Sequence, residues 1–363
     1  MAAGLYGHSD VFTEAMDDAF RLLGADGPRV RADWLSAGPP EVLDDVTRAQ
    51  PLLYAVGYAL GKLVQSWGVE AAALLGHSVG ELVAATLAGV LDFEDAMRLM
   101  GDRMRILADT PPGAMLAVAA AEREIAGYVS GEVAIAAVNG PRQVLLAGPE
   151  EQVAATRRRL QAAGITCRQA RARQAFHSPV VADAAARTFG SWAATPLRAP
   201  RLRVYSAYLG DVLPAERATD PWFWAGQPAE PVLFGPTLDK LLSHDGFLLV
   251  EAGPGQGLSA LARRHPEVTS GRSAVTAMLP IRAGDPDADR RAVSDAAERI
   301  TAPRHNVPMA PTVRPDPDPM APTARRAPAR WHHRHVVAGA PQGAPQGAPQ
   351  GAPRGGLEGD SRG

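Results

Sequence analysis

The sequence predicts an α/β fold made of a larger parallel-sheet body with a small subdomain inserted in it. Three observations carry the prediction. Short apolar runs end in turns and lead into segments of helical spacing. A middle stretch orders its strands and helices differently. The apolar content is also sufficient for a core: of 363 residues, 46% are hydrophobic and 21% charged, an ordinary globular balance. That length suits one large domain or two smaller ones.

Bulk properties exclude several classes. The net charge is −2, from 37 basic and 39 acidic residues, so no overall field favours nucleic acid or an anionic membrane. Cys167 is the only cysteine, which excludes an internal disulfide framework and fits a cytoplasmic protein. The opening residues show no basic segment followed by an apolar one, so no secretory signal is expected. The longest apolar stretch, 51–69, is broken by Lys62 and Gln65; it reads as a buried helix, too polar to span a bilayer.

Taken in order, "AAALLG" at 71–76 is an apolar run ending in a turn, the mark of a buried parallel strand. "VGELVAATLAGV" follows with helical spacing, and "DFEDAMRLMGDRMRIL" begins a second helix with Asp92 as the expected N-cap. Residues 113–173 then read strand, helix, strand, strand, helix, strand: "AMLAVAA", "EREIAGYVS", "VAIAAV", "QVLLAG", "PEEQVAATRRRLQAAG" and "ITCRQARAR". This βαββαβ order predicts a ferredoxin-like subdomain. "LRVYSAYLG" and "GFLLVEAGPGQGL" resume the larger body, which therefore comprises 1–112 and 174–302.

Beyond residue 302 proline recurs, and "GAPQGAPQGAPQGAPRGG" is a four-residue repeat. Such a composition buries too little apolar area to offset ordering, so 303–363 is expected to be a disordered tail. His332, His333 and His335 in "WHHRHVV" have the chemistry of metal ligands. With no partner ligands nearby they read as a polar patch, and no metal is expected.

Gly76-His77-Ser78-Val79-Gly80 is a Gly-x-Ser-x-Gly turn between an expected strand and an expected helix. Such an elbow exposes the serine oxygen, and the helix start offers backbone N–H groups to a developing oxyanion, that of Val79 first. The two glycines are expected to allow the tight turn and close packing. A plain surface turn of small residues is the alternative. A serine hydroxyl needs a base, and His177 in "RQAFHSPV" falls where the subdomain ends and the body resumes, a natural cleft wall. An imidazole near its unperturbed pKa of about 6.5 can take and return a proton at neutral pH. His77 adjoins the serine but is expected to point away, and His244 reads as a loop residue.

Together "GHSVGE" and "QAFHSP" resemble the malonyl-CoA:acyl carrier protein transacylases, and especially the acyltransferase domains of polyketide synthases. The likeness runs from about Leu5 to Ile300. It continues through "TRAQPLLYAVGYALGKLVQSWGV", "AAVNGPRQVLLAG", "RVYSAYLG", "PVLFGPTLDKLL" and "VEAGPGQGL", in the family's order. The resemblance implies a hydrolase-like α/β body with the ferredoxin-like subdomain, and one acyltransferase domain over 1–302. It implies Ser78 as the acylated nucleophile and His177 as its base, with a backbone carbonyl, here that of Gln227, orienting the imidazole in place of an acidic side chain. Arg103, 25 positions after Ser78, then clamps the free carboxylate of a malonyl group, which a guanidinium fork matches bidentately. Gln50, Asn139 and His77 fall at substrate-side positions.

Gln174-Ala175-Phe176-His177 resembles the His-Ala-Phe-His of malonyl-selective domains more than the Tyr-Ala-Ser-His of methylmalonyl ones. Phe176 leaves less room for an α-methyl group, and "GHSVGE" lacks the glutamine common in methylmalonyl domains. The expected reaction carries malonyl from coenzyme A to the phosphopantetheine thiol of an acyl carrier protein, in polyketide or fatty-acid synthesis. It uses malonyl-CoA as substrate and no tightly bound cofactor. Against the family the chain lacks the opening Phe-Pro-Gly-Gln-Gly-Ser-Gln, which implies the loss of a central strand and one oxyanion donor. Either the start lies upstream or activity is weak. Two rivals stay open: a serine esterase or thioesterase, which would want an acid and a histidine late in the chain, and an inactive acyltransferase that only binds a partner. Arg157–Arg159 could dock an acidic carrier protein, or be a solvated helix face.

Overall fold

The computed structural model describes residues 1–36, 45–170, 172–243, 245–282 and 284–302. His244 and the tail 303–363, with its three histidines, lie outside the described residues.

The body is organised around the long apolar helix Val46–Ser66, started by Asp45, whose carboxylate accepts from the Thr47 N–H. Its buried Leu52, Val56, Ala59, Leu60 and Leu63 recur at helical spacing. They join one core with Phe12 and Met16 of helix Asp10–Leu22, with Leu82 of helix Val79–Leu87, and with Met97 and Met100 of helix Phe93–Ala108. Asp92 sits at the start of that last helix but does not cap it; its carboxylate meets Arg198 at 3.1 and 3.2 Å. A bidentate arginine outcompetes the helix N–H groups for the same oxygens.

The strands, in chain order, are β1 (Leu74–Leu75), β2 (Gly113–Val118), β3 (Ala134–Gly140), β4 (Gln143–Pro149), β5 (Cys167–Gln169), β6 (Val204–Ser206), β7 (Asp211–Val212), β8 (Leu248–Glu251) and β9 (Ala274–Ala277). β2 to β5 form one antiparallel sheet in the order β3-β4-β2-β5, with helices Glu122–Ile125 and Glu150–Ala162 in the crossovers. Leu116, Val118, Val144, Leu146, Val153 and Leu160 form its own core.

The body's parallel sheet is in two pieces. β1 pairs in parallel with β6, β8 with β9, and among the described residues no strand joins them. Both pieces line an apolar cavity of about 480 Å³ with Phe234, Leu238 and Leu258. Leu74 N–H bonds to Arg203, and Ala274 N–H to Phe247. By parallel alternation Leu75 and Val250 therefore turn their backbone groups away from the paired neighbour. Among the described residues no helix is long and apolar enough to cross a membrane.

Candidate active site

Ser78 follows β1 and opens helix Val79–Leu87, with φ 54° and ψ −121°. His177 has φ 62°. Among the described residues Ser78, His177 and Ala2 alone combine positive φ with a side chain. Each such backbone costs about 1–3 kcal/mol and persists only where surrounding contacts impose it. At the elbow the imposing contact is Gly76: a Cβ there would lie 2.1 Å from the Glu81 nitrogen. Gly80 is different, since a Cβ there would meet nothing within 4 Å. Close packing therefore requires only the first glycine of the motif.

The base is held from three sides. His177 N–H donates to the Pro228 carbonyl at 2.6 Å, its Nδ1 lies 2.9 Å from the Glu230 carbonyl oxygen, and its Nε2 lies 2.7 Å from Ser78 Oγ. A carbonyl oxygen can only accept, so Nδ1 carries the proton and Nε2 is left to receive the serine's. Two carbonyls bear on the ring: Glu230 gives the 2.9 Å contact, and Gln227, the one expected, acts on it as well, more weakly. The short helix Gln227–Ala229 turns the chain so that the Gln227 oxygen takes the Glu230 N–H at 3.2 Å. Burial, then the neighbouring His77 and Arg103, push the His177 pKa down to about 3. Its ring is therefore neutral at physiological pH.

The Val79 N–H has no acceptor among the described residues, leaving the first donor of the helix free above Ser78. Arg103 is only 5% exposed, makes no ion pair among the described residues, and leaves its Nε without a hydrogen-bond partner. Burial pushes its pKa down, and the neighbouring Tyr208 acts the other way. A buried guanidinium without a counter-charge is costly unless an anion completes it.

The other expected positions distribute unevenly. His77 Nε2 lies 2.8 Å from Asn139 Oδ1, so these two bond each other and tie the elbow to the end of β3. Phe176 packs against the core, its ring centroid 6.4 Å from that of His177. Gln50 is half-buried on helix Val46–Ser66. Arg157 and Arg159 are engaged within the subdomain, with Gln169 and with the Gly127 and Tyr128 carbonyls.

Sequence reasoning missed Glu81, Tyr208 and Glu230. Glu81 is fully buried under the elbow, accepting from Ser206 Oγ at 2.6 Å and from the Ala207 N–H at 2.8 Å. Burial outweighs these donors and pushes its pKa up to about 8. Its signal was present: an acid inside an otherwise apolar helix face needs a partner.

An α/β body that presents an elbow serine to a carbonyl-held imidazole, with a buried cation alongside, has the architecture of an acyltransferase. The chain belongs to the acyl transferase domain family, whose family model matches residues 1–274. It is 38% identical over 268 residues to a phenolphthiocerol/phthiocerol polyketide synthase polypeptide of Mycobacterium tuberculosis, covering 74% of this chain and 18% of that protein. It is 34% identical over 290 residues to the mycoketide-CoA synthase of the same organism, covering 79% and 7%. The chain thus spans less than a fifth of the length of these curated relatives. Among solved structures, the acyltransferase domain from the second module of the salinomycin polyketide synthase superposes with a TM-score of 0.73 at 33% identity, over 81% of this chain and 68% of that one. The malonyl CoA-acyl carrier protein transacylase from Coxiella burnetii shares the fold, with a TM-score of 0.71 at 23% identity over 83% and 93% of the two chains.

Proposed function

We propose that this chain transfers a malonyl group from coenzyme A to the phosphopantetheine thiol of an acyl carrier protein, through an ester on Ser78, in polyketide or fatty-acid biosynthesis in the cytoplasm. The observation that carries the reading is the buried, unpaired Arg103 beside a Ser78–His177 pair already at 2.7 Å. A simple esterase has no use for such a cation. A diacid thioester has, because its free carboxylate matches the guanidinium fork.

His177 Nε2 takes the Ser78 proton as Oγ attacks the thioester carbonyl. The oxyanion forms against the Val79 N–H, and collapse expels the coenzyme A thiolate, which leaves with the proton from Nε2. In the second half the carrier thiol gives its proton to Nε2, attacks the Ser78 ester and departs as malonyl thioester. The arriving carboxylate also cancels the Arg103 charge, one of the influences holding the imidazole pKa down. The base therefore strengthens as the substrate seats. Phe176 beside the base favours malonyl over methylmalonyl, a methyl-sized discrimination of about 1–3 kcal/mol.

The test is acyl-enzyme trapping with radiolabelled malonyl-CoA. Label on Ser78 that carrier protein discharges faster than water does supports transfer. Discharge by water alone makes the chain an esterase, and absence of label on the folded chain removes the reading.

A further inference from the structure

A second buried polar atom at the site is unexplained by this mechanism. The Tyr208 hydroxyl is sequestered from solvent and has no hydrogen-bond partner among the described residues. Its ring centroid lies 6.0 Å from that of His177, and the hydroxyl is within the hydrogen-bonding influence of Ser78 and the field of Arg103. The loop that carries it is keyed to the nucleophile. Ser206 Oγ accepts from the Tyr208 N–H at 3.2 Å and donates to Glu81 at 2.6 Å, three residues along the helix that Ser78 opens. Tyr208 is therefore fixed relative to the elbow through two hydrogen bonds and one short helical segment.

Resting on the transferase reading, we infer that the Tyr208 hydroxyl is the second donor of the oxyanion hole, opposite the Val79 N–H. A donor that makes no full hydrogen bond in the resting site and lies beside the nucleophile gains its best partner when charge develops on the thioester oxygen, which is the condition for stabilising the transition state over the ground state. Burial raises the phenol pKa, so the hydroxyl keeps its proton at neutral pH and donates without transferring it. Its ring stands beside the Ser78–His177 pair, and Ser78 is within its hydrogen-bonding influence whereas Arg103 acts on it through charge alone. This assigns the hydroxyl to the carbonyl oxygen rather than to the malonyl carboxylate.

The experiment compares the full chain with Tyr208→Phe, which removes one oxygen. Single-turnover acylation by malonyl-CoA and by acetyl-CoA, which has no carboxylate, is expected to slow by about the same factor, on the order of 100-fold. Substrate affinity should stay unchanged and the melting temperature should not fall, because the buried hydroxyl has no full hydrogen bond to lose. Equal rates overturn the assignment, as does a loss confined to malonyl, which would place the hydroxyl on the carboxylate. Methylboronic acid, which forms a tetrahedral anion on a serine, separates this inference from the one it rests on. Wild-type chain that acylates from neither thioester removes the transferase reading, while the boronate still decides Tyr208. Weaker boronate binding by the variant supports the donor role; equal binding, or none to the wild type, overturns it. If Tyr208→Phe does not fold, 3-fluorotyrosine at position 208, a more acidic phenol, should alter the acylation rate, and an unaltered rate overturns the inference.

Discussion

Ser78 and His177 stand 99 positions apart in sequence, yet Oγ and Nε2 meet at 2.7 Å while both backbones hold a positive φ. Two strained residues in direct contact mean that the fold enforces this approach, with Gly76 and the Pro228 and Glu230 carbonyls as its supports. Function and stability should therefore oppose one another here.

Ser78→Gly tests that opposition. Glycine adopts φ 54° without penalty, so the variant should be more stable by up to about 1 kcal/mol while losing acylation altogether. Chemical denaturation reads the first effect and malonyl labelling the second. A less stable variant would mean that the elbow is not strained.

Arg103 should show the same opposition through charge. Arg103→Met replaces an unpaired buried guanidinium by an apolar chain of similar length, and should raise stability by about 1 kcal/mol. Malonyl transfer should fall at least 100-fold and acetyl transfer hold or rise. Equal loss of both transfers would remove the carboxylate clamp.

The glycines of the elbow should separate. Gly76→Ala places a Cβ 2.1 Å from the Glu81 nitrogen and should cost several kcal/mol, about what severe backbone clashes cost. Gly80→Ala meets nothing within 4 Å and, lying in a helix, should stabilise by about 0.5–1 kcal/mol. Thermal melts of the pair decide it; parallel destabilisation would contradict the packing described.

Two buried groups give pH dependences of opposite sign. The folded pKa of His177 is pushed down to about 3 from 6.5, so its contribution is complete above pH 6.5 and is lost as pH falls towards 3. Glu81 is pushed up to about 8 from 4.5, so its contribution is complete below pH 4.5 and is lost as pH rises through 8. Each slope approaches about 1.4 kcal/mol per pH unit. Between pH 6.5 and 8 only the Glu81 slope remains, and Glu81→Gln should flatten it in urea titrations. In the same frame kcat/KM should show no acid limb from His177 between pH 5 and 7, because the free base is already neutral; a limb near 6.5 that disappears in a His177 variant would contradict this.

Much of the fold can be read from local pattern. The helix Val46–Ser66 announces itself by apolar spacing, the subdomain by its alternation of strand and helix, and the elbow by glycines around a serine after an apolar run. Ser78 and His177 are legible because each lies in a distinctive short motif, whereas Arg103 stands out only through the spacing that the family resemblance supplies. The resemblance points to Gln227, which does act on the ring; that Glu230, three residues on, makes the 2.9 Å contact is set by a tight helical turn invisible in composition. Local pattern points to Asp92 as a cap because the residue that takes its carboxylate, Arg198, is remote in sequence.

Elements, elbow and the chemical type of the pair are set locally, because hydrophobic period, turn residues and side-chain chemistry are short-range properties of the chain. It took the folded chain to bring the Glu230 carbonyl within 2.9 Å of the imidazole, to bury Glu81 beneath the serine, to seat the Tyr208 ring beside His177, and to set β1 and β8 along a cavity without pairing. Those facts depend on packing between distant segments, where a displacement of one ångström changes the partner, and no periodicity along the chain encodes it.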